Sequence, residues 1–156
     1  MATFGGGNGG FTPSTSADIW VLDANDAGDV GRIVMISWGG RQTTAGSSNA
    51  YRTRWTRPTT NASGTFTSLS PGASPPTATP GCRLGTFATN ATLATDPSGN
   101  LHAIDWLSTG GGGAIYMGID GWIVAQSGTA GHQQIACRNV AGTEASTTSY
   151  QVQWVE

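Results

Sequence analysis

Residues 49–58 form a stretch in which the side chains alternate in character from one position to the next. In an extended chain Tyr51, Thr53 and Trp55 would point to one side, and the arginines between them would point to the other. Alternation of aromatic and β-branched residues that ends at a proline is typical of a β-strand with one buried side. A similar pattern returns at residues 150–155. We therefore expect two aromatic-rich strands that line one core, and this requirement favours a β fold.

Short segments with strand character recur along the whole chain, at intervals near the ~8–12 residues that are typical of sandwiches and barrels. No window combines a sustained helical period with capping residues. These features predict an all-β protein built as an antiparallel β-sandwich; a jelly-roll arrangement is plausible, and a barrel is the alternative. The predicted strands comprise residues 19–22, 30–38, 51–57, 64–69, 82–89, 101–106, 114–118, 122–125, 133–138 and 149–155.

Long loops rich in glycine and proline are expected between these strands. Residues 70–81 contain four prolines and show no periodicity, which predicts a stiff and extended loop. Loops of this length in compact domains are usually functional or disordered. The pair Asp120-Gly121 is a strong turn signal, so we expect the predicted strands on either side of it to form a hairpin.

Residues 1–17 are rich in glycine and predict a flexible N-terminal arm, with Phe4 and Phe11 as apolar anchors. Such an arm can be a frayed terminus, or it can become ordered when the two phenylalanines dock on a neighbouring molecule. The first residues have neither a basic nor an apolar region, so we expect no secretory signal. Residues 18–156 are expected to form a single β-sandwich domain.

Charge is scarce in this chain. Charged residues make up 10% of the sequence, whereas an average domain has roughly 25%. All seven basic residues are arginine, which is the cation best suited to partly buried interface pairs, although codon usage would explain the lack of lysine equally well. The formal net charge of −2 argues against non-specific binding to nucleic acid or to a membrane surface. We expect neither as a partner.

No residue pattern indicates catalysis, a cofactor or a metal site. The acidic turn at residues 23–29 offers oxygen ligands, but Ala27 and Val34 stand where an EF-hand requires ligands. His102 and His132 have no ligand partners at short spacing, and no nucleophile motif is present. We therefore expect a non-enzymatic protein that uses no cofactor and no metal.

Cys82 and Cys137 are far apart in the sequence. A chain without a secretory signal is made in a reducing compartment, where disulfides are rare. We expect both cysteines to be free thiols in the core.

The chain has six tryptophans, which is more than one small core usually needs. Each lies in or at the end of a predicted strand, where packing in the core is the ordinary role. We expect about four of them in the core. Exposed tryptophans on a β-sandwich could stack on sugar rings, so carbohydrate binding is the main alternative to a purely structural role.

Residues 51–60 and 135–154 resemble parts of small structural proteins from tailed bacteriophages. The lack of lysine, the Gly-rich start and the abundance of Thr, Ser, Gly and Ala are similar to those of capsid decoration (cement) proteins. The resemblance implies a homotrimer, made in the host cytoplasm and seated on the virion surface. It implies binding to the major capsid protein, so that neighbouring capsid subunits are held together, and it implies no catalytic residue. The alternative is a carbohydrate- or receptor-binding module of a phage fibre.

A decoration protein would contact its partner through arms, stiff loops and arginines. If the arginines of residues 52–57 are unpaired within the subunit, they mark the surface that meets a partner; if nearby acids neutralise them, they are structural. The candidate interface residues are Phe4, Phe11, Arg52, Arg54, Arg57, Pro75 and Pro76.

Overall fold

The computed structural model describes residues 1–12, 14–42, 50–94, 100–107, 112–118, 123–128, 132–142 and 146–156. These residues contain fourteen β-strands and no helix. In chain order the strands are β1 (Thr3–Phe11), β2 (Asp18–Asp23), β3 (Val30–Gln42), β4 (Ala50–Thr56), β5 (Pro58–Thr60), β6 (Ser63–Ser68), β7 (Gly72–Ser74), β8 (Arg83–Thr89), β9 (Thr92–Leu93), β10 (Asn100–Leu107), β11 (Gly113–Tyr116), β12 (Ile123–Gln126), β13 (Gln134–Ala141) and β14 (Ser146–Val155).

The strands form two six-stranded sheets and a small third sheet, and all the pairings are antiparallel. The first sheet has the order β11-β3-β14-β1-β7, with β12 also beside β3. The second sheet has the order β10-β4-β13-β2-β8-β6, and the third consists of β5 and β9. The prediction of an all-β, antiparallel sandwich is confirmed. The jelly-roll arrangement stays a prediction.

The main core lies between the first and second sheets and is rich in aromatic side chains. Trp55 of β4 packs in one cluster with Tyr150 and Trp154 of β14, and these three residues and Tyr51 are at most 1% exposed. The Tyr150 hydroxyl and the Thr53 hydroxyl lie 2.6 Å apart, so a buried hydrogen bond joins the two sheets. The two aromatic rows of the sequence therefore line one core, as their alternation predicts.

The structure corrects the prediction of a flexible arm at residues 1–17. Thr3–Phe11 is a strand of the first sheet, paired with β14 on one side and with β7 on the other. Phe4 is 2% exposed, and its ring stacks on Trp154 with the centroids 5.6 Å apart. Backbone hydrogen bonds and the burial of Phe4 fix this segment, and glycines, which have no side chain, cannot display the alternation that reveals a strand.

The Pro-rich segment 70–81 lies outside the strands except for Gly72–Ser74, which form the short strand β7 and pair with β1. The prediction of a hairpin around residues 120–121 is wrong. β11 and β12 do not form a hairpin with each other, because both pair with the same side of β3, one after the other. The turn Asp120-Gly121 lies outside the described residues.

A second, smaller apolar cluster lies on the outer side of the second sheet. Residues 58–62 and 90–94, which include β5 and β9, cover the sheet there, and we call these two segments the cover. The cluster consists of Val21, Ala62, Phe87, Ala91 and Ala136, with Phe66 and Leu93 packed against it. The central strands β2 and β13 are therefore buried on both sides, whereas the edge strands β10 and β6 carry exposed residues.

Candidate interaction surface

Arg52 forms an exposed ion pair within the chain. Its guanidinium donates to both carboxylate oxygens of Asp105, from Nε at 2.8 Å and from Nη2 at 3.0 Å. The two residues are directly opposite each other on β4 and β10, and their side chains are 48% and 67% exposed. The pair lowers the pKa of Asp105. Exposed pairs of this kind contribute about 0–1 kcal/mol, so Arg52 is partnered but remains accessible.

Arg54 and Arg57 are engaged inside the molecule. Arg54 is 6% exposed, and its Nη2 donates to the carbonyl oxygen of Ala94 in the cover, at 3.3 Å. Arg57 donates to the carbonyl of Val124 at 2.7 Å, and burial lowers the pKa of this arginine. The prediction that Arg54 contacts a partner is therefore wrong, because the cover buries that side of β4. Arg57 is half-buried, and this hydrogen bond links the residue after β4 to β12 of the first sheet.

Further side chains of the second sheet also hold the backbone of the cover. Arg138 forms a buried ion pair with Asp18 at 2.6 Å and donates to the carbonyl of Ala91 at 2.6 Å. The second oxygen of Asp18 accepts the Ala91 N–H at 2.8 Å. The Gln134 amide makes two hydrogen bonds to the backbone of Ala62, at 2.8 and 3.1 Å. Burial raises the pKa of Asp18, although the Ala91 N–H and Arg138 act in the opposite direction.

The remaining interface candidates lie near one edge of the first sheet. Phe4 is buried in the core, so the prediction that it contacts a partner is wrong. Phe11 ends β1, but its side chain lies outside the described part of the structure. Pro75 and Pro76 are exposed and follow directly after the edge strand β7. A proline cannot donate to a ladder, so Pro75 ends the edge strand.

The outer side of the first sheet differs from that of the second, and we call it the open face. The residues in the central region of the open face are exposed or half-buried. Among the described residues, neither apolar cluster includes a side chain from this region. The residues of this central region are uncharged: Thr3, Gly5, Gly7, Gly9, Met35, Ser37, Gly39, Gly72, Ser74, Ala114, Tyr116, Thr147, Ser149, Gln151 and Gln153. Two arginines of β3, Arg32 and Arg41, stand on the same side of the sheet by register, opposite Val155 and Thr147 near its two ends.

A shallow groove of about 280 Å³ lies where the small residues of three neighbouring strands meet at one end of this sheet. Glycines and hydroxyl side chains of β1, β3 and β14 line it. The lining residues are Gly10, Gly39, Gly40, Thr147, Thr148 and Ser149.

Sequence reasoning missed two residues of this sheet. Tyr116 of β11 is 70% exposed and projects from the open face. Arg32 is exposed near one end of β3 and makes no ion pair with the described residues. Alternation within predicted strands could have indicated both positions, but the strand order that puts them on one sheet is not visible in the sequence.

The described residues contain no group of three His, Cys, Asp or Glu side chains that could hold a metal ion. Asp23 of the acidic turn is buried and accepts from Arg83 at 2.8 Å and from Gln133 at 3.2 Å. His102 packs against Trp55 with the ring centroids 5.6 Å apart, and burial lowers its pKa.

Both cysteines are free and buried, as the sequence predicts. Burial raises the pKa of the Cys137 thiol, with the nearby Asp18 as a second cause. Burial also raises the pKa of Cys82, and the carboxylate of Glu156 adds to this effect. That carboxylate accepts hydrogen bonds from the Cys82 N–H at 3.0 Å and from the Trp154 indole at 2.8 Å. Neither thiol is therefore a nucleophile at neutral pH.

Most tryptophans that the structure describes belong to the core. Trp20, Trp55 and Trp154 are fully buried, and Trp38 packs partly buried against the same cluster. These four agree with the number expected from the sequence. The side chains of the other two tryptophans lie outside the described residues, so no described tryptophan offers an exposed ring for a sugar.

Within the described part of the chain there is no helix long and apolar enough to cross a membrane. Comparisons with protein-family models, with characterised proteins and with solved structures found no significant match.

Proposed function

We propose that this chain is a non-enzymatic structural protein of a virion, which decorates a phage capsid and stabilises it by binding between major capsid subunits through the open face. The observation that carries the proposal is the difference between the two outer sides of the sandwich. The cover and its own apolar cluster bury the middle of one side, where Val21 and Ala136 are fully buried. The central region of the other side is uncharged and is not part of either apolar cluster in the described residues.

The residue types of the open face are suited to close contact with another protein. Covering a charge with protein requires its desolvation, and the central region of this face has no charge to desolvate. Glycine and serine lose little side-chain entropy when they become fixed in an interface. The centres of protein interfaces are depleted in charged residues for the same reason. A sheet face of this composition can therefore pack closely against a partner surface of complementary shape.

The assignment of the partner rests on the sequence resemblance to decoration proteins. The same resemblance is the basis for proposing a homotrimer and a location on the outside of the virion. The exposed Pro75 and Pro76 lie at the edge of the first sheet, next to the open face, and can contact the same partner. Arg52 remains a candidate contact at the other sheet.

The test places one charge on the open face. Gln151 is exposed on β14 in the middle of this face, and Gln151→Arg would force an unpaired cation into the contact. We expect unmodified protein to co-sediment with capsid shells of its phage and to raise their unfolding temperature. The variant should bind roughly 10–100-fold more weakly, because each 1.4 kcal/mol of lost binding free energy is tenfold in affinity.

The matched control is Thr60→Arg, which adds the same charge to an exposed position of the cover. It should bind shells as the unmodified protein does, and both variants should unfold at nearly the same temperature when isolated. If the unmodified protein neither binds shells nor raises their unfolding temperature, capsid decoration is wrong. If the two variants bind equally well, the open face is not the contact.

A carbohydrate- or receptor-binding module of a phage fibre is the second candidate. Two observations favour it: the groove is lined with hydroxyl groups and glycines, and the Tyr116 ring is 70% exposed on the same sheet. Aromatic faces stack on sugar rings and hydroxyl groups bind their substituents. In this case a glycan array should give a signal with the intact protein and lose it with Tyr116→Ala. If the protein binds shells and gives no glycan signal, capsid decoration is the only one of the two proposed functions that remains.

A further inference from the structure

β1 is a strand with a weak intrinsic preference for its own conformation. Five of its nine residues are glycine. Each glycine in a strand interior destabilises that strand by roughly 0.5–1 kcal/mol relative to alanine, because it loses more conformational freedom on folding. β1 therefore depends on its neighbours for its structure.

The contacts that fix β1 are mainly those of its backbone. It pairs with β14 from Thr3 to Phe11, and with the short β7 over three residues. Phe4, stacked on Trp154, is its one fully buried large side chain among the described residues. Asn8 adds a hydrogen bond to the carbonyl of Ile19 at 3.3 Å.

The site between β14 and β7 is also selective for this strand. A Cβ atom at Gly7 would collide with the backbone oxygen of Tyr150, and one at Gly6 would lie 2.9 Å from the Leu84 side chain. A strand with side chains at these positions would not fit. The site therefore accepts the Gly-rich sequence of β1, and it would accept the same strand from another copy of the chain equally well.

The connection from β1 to the rest of the chain is longer than the distance that it crosses within one chain. β1 ends at Phe11 in the first sheet, and β2 begins at Asp18 in the second. The six residues between them span up to ~20 Å when extended, whereas packed sheets lie ~10 Å apart. Thr12 and residues 15–17 are exposed, and the side chains of Ser14 and Ser16 bond mainly to each other, with the hydroxyls 2.9 Å apart.

We propose that β1 exchanges between copies of this chain, so that β1 of one copy occupies the site between β14 and β7 of the next. Exchange preserves every ladder contact and the Phe4 site, and it changes only the path of the residues between β1 and β2. Such an exchange is a heterologous contact, which gives a closed ring when the rotation between copies closes. The proposal does not depend on a capsid and can be tested with the isolated protein.

Gly9 and Ser149 provide a test of which chain supplies β1. They are directly opposite each other on the open face, and a Cβ at Gly9 would lie 3.7 Å from the Ser149 Cβ. This distance is within the ~3.5–4.5 Å range of disulfides. The native cysteines are buried and do not compete. In the double variant Gly9→Cys/Ser149→Cys, the disulfide reports directly whether the two strands belong to one chain.

The experiment oxidises the full-length double variant after refolding at low and at high protein concentration. On non-reducing gels we expect covalent oligomers that disappear on reduction and that increase with refolding concentration. In a second arm, Gly9→Cys protein is refolded together with size-tagged Ser149→Cys protein. We expect a mixed disulfide that joins one chain of each kind.

A mixture of Gly9→Cys with size-tagged Thr60→Cys protein measures random collision, because Thr60 is exposed on the cover, far from β14. Exchange requires severalfold more mixed disulfide with Ser149→Cys than with Thr60→Cys. The proposal is overturned if the two mixtures give equal amounts while the double variant closes only within single chains. It is also overturned if the double variant forms no disulfide, because the register on which it rests would then be wrong.

Discussion

At the scale of single residues, three of the seven arginines of this charge-poor protein bind its own backbone. Arg54, Arg57 and Arg138 each donate to a main-chain carbonyl that is distant in sequence. A guanidinium has five N–H donors in a rigid plane, so it can satisfy a carbonyl and a carboxylate together, as Arg138 does with Ala91 and Asp18. An ammonium group has no such planar arrangement.

The buried Asp18 and the exposed Asp105 should differ strongly in their contribution to stability. Asp18→Ala leaves Arg138 as a buried cation and removes the acceptor of the Ala91 N–H, so we expect a loss of about 3–5 kcal/mol. Asp105→Ala breaks only the exposed pair with Arg52 and should cost about 0–1 kcal/mol. Denaturant unfolding of both variants measures the difference. Equal losses would show that the ion pair at Asp18 does not hold the cover.

At the scale of elements, β1 and β14 illustrate how close backbone approach selects glycine. Gly7 meets the main chain of β14, whereas Gly9, on the same side of the same strand, has only the Ser149 Cβ nearby at 3.7 Å. The two positions share a strand and a partner, so they form a matched pair.

Gly7→Ala should destabilise the protein by roughly 1–3 kcal/mol, because the added methyl group overlaps the backbone of β14 and must displace it. Gly9→Ala should leave stability unchanged or raise it by about 0.4–1 kcal/mol, because the unfolded chain loses freedom without strain in the folded state. The midpoints of urea unfolding report both. A stable Gly7→Ala variant would contradict the register between β1 and β14.

The elements also show how far the sequence can predict this fold. β4 and β14 were predictable because Tyr51, Trp55, Tyr150 and Trp154 display the alternation that burial of one side requires. β1 was not, because its glycines carry no side chains. The prediction of a hairpin failed because a turn signal reports only on local sequence. β11 and β12 instead pair with β3, which is distant in the sequence.

The candidate site was harder to predict than the fold. The sequence identified arginine as an interface residue type, but it could not show that the cover would enclose Arg54 or that a carbonyl of β12 would engage Arg57. The open face combines alternate residues of β1, β3, β7, β11 and β14, which are scattered along the chain. Only the order of strands in the sheet brings them together.

At the scale of the whole molecule, stability should be greatest in a window near neutral pH. Burial lowers the pKa of His102, so the folded chain resists a proton that the unfolded chain binds, and stability is lost as pH falls below about 6.5. Burial raises the pKa of Cys82 and Cys137, so stability is lost as pH rises above about 8.5, where the unfolded thiols ionise. The raised pKa of Asp18 has the opposite effect on stability at lower pH, because the folded chain binds a proton there more readily than the unfolded chain does.

Unfolding temperatures measured across this range check the signs. His102→Gln should flatten the decline below about pH 6.5, and Cys137→Ala should reduce the decline above about pH 8.5. Unchanged declines in these variants would assign the pH dependence to other groups.

The contrast between the covered side and the open face gives the molecule a built-in direction. If the open face alone is the attachment side, as proposed, the molecule binds a support in a single orientation, with the other side outermost. If the open face is the attachment side, the exposed Thr59 and Thr60 of the cover point away from the support in every copy. Peptides grafted there would form a regular display array, with a spacing set by the support and with no contact to the attachment side.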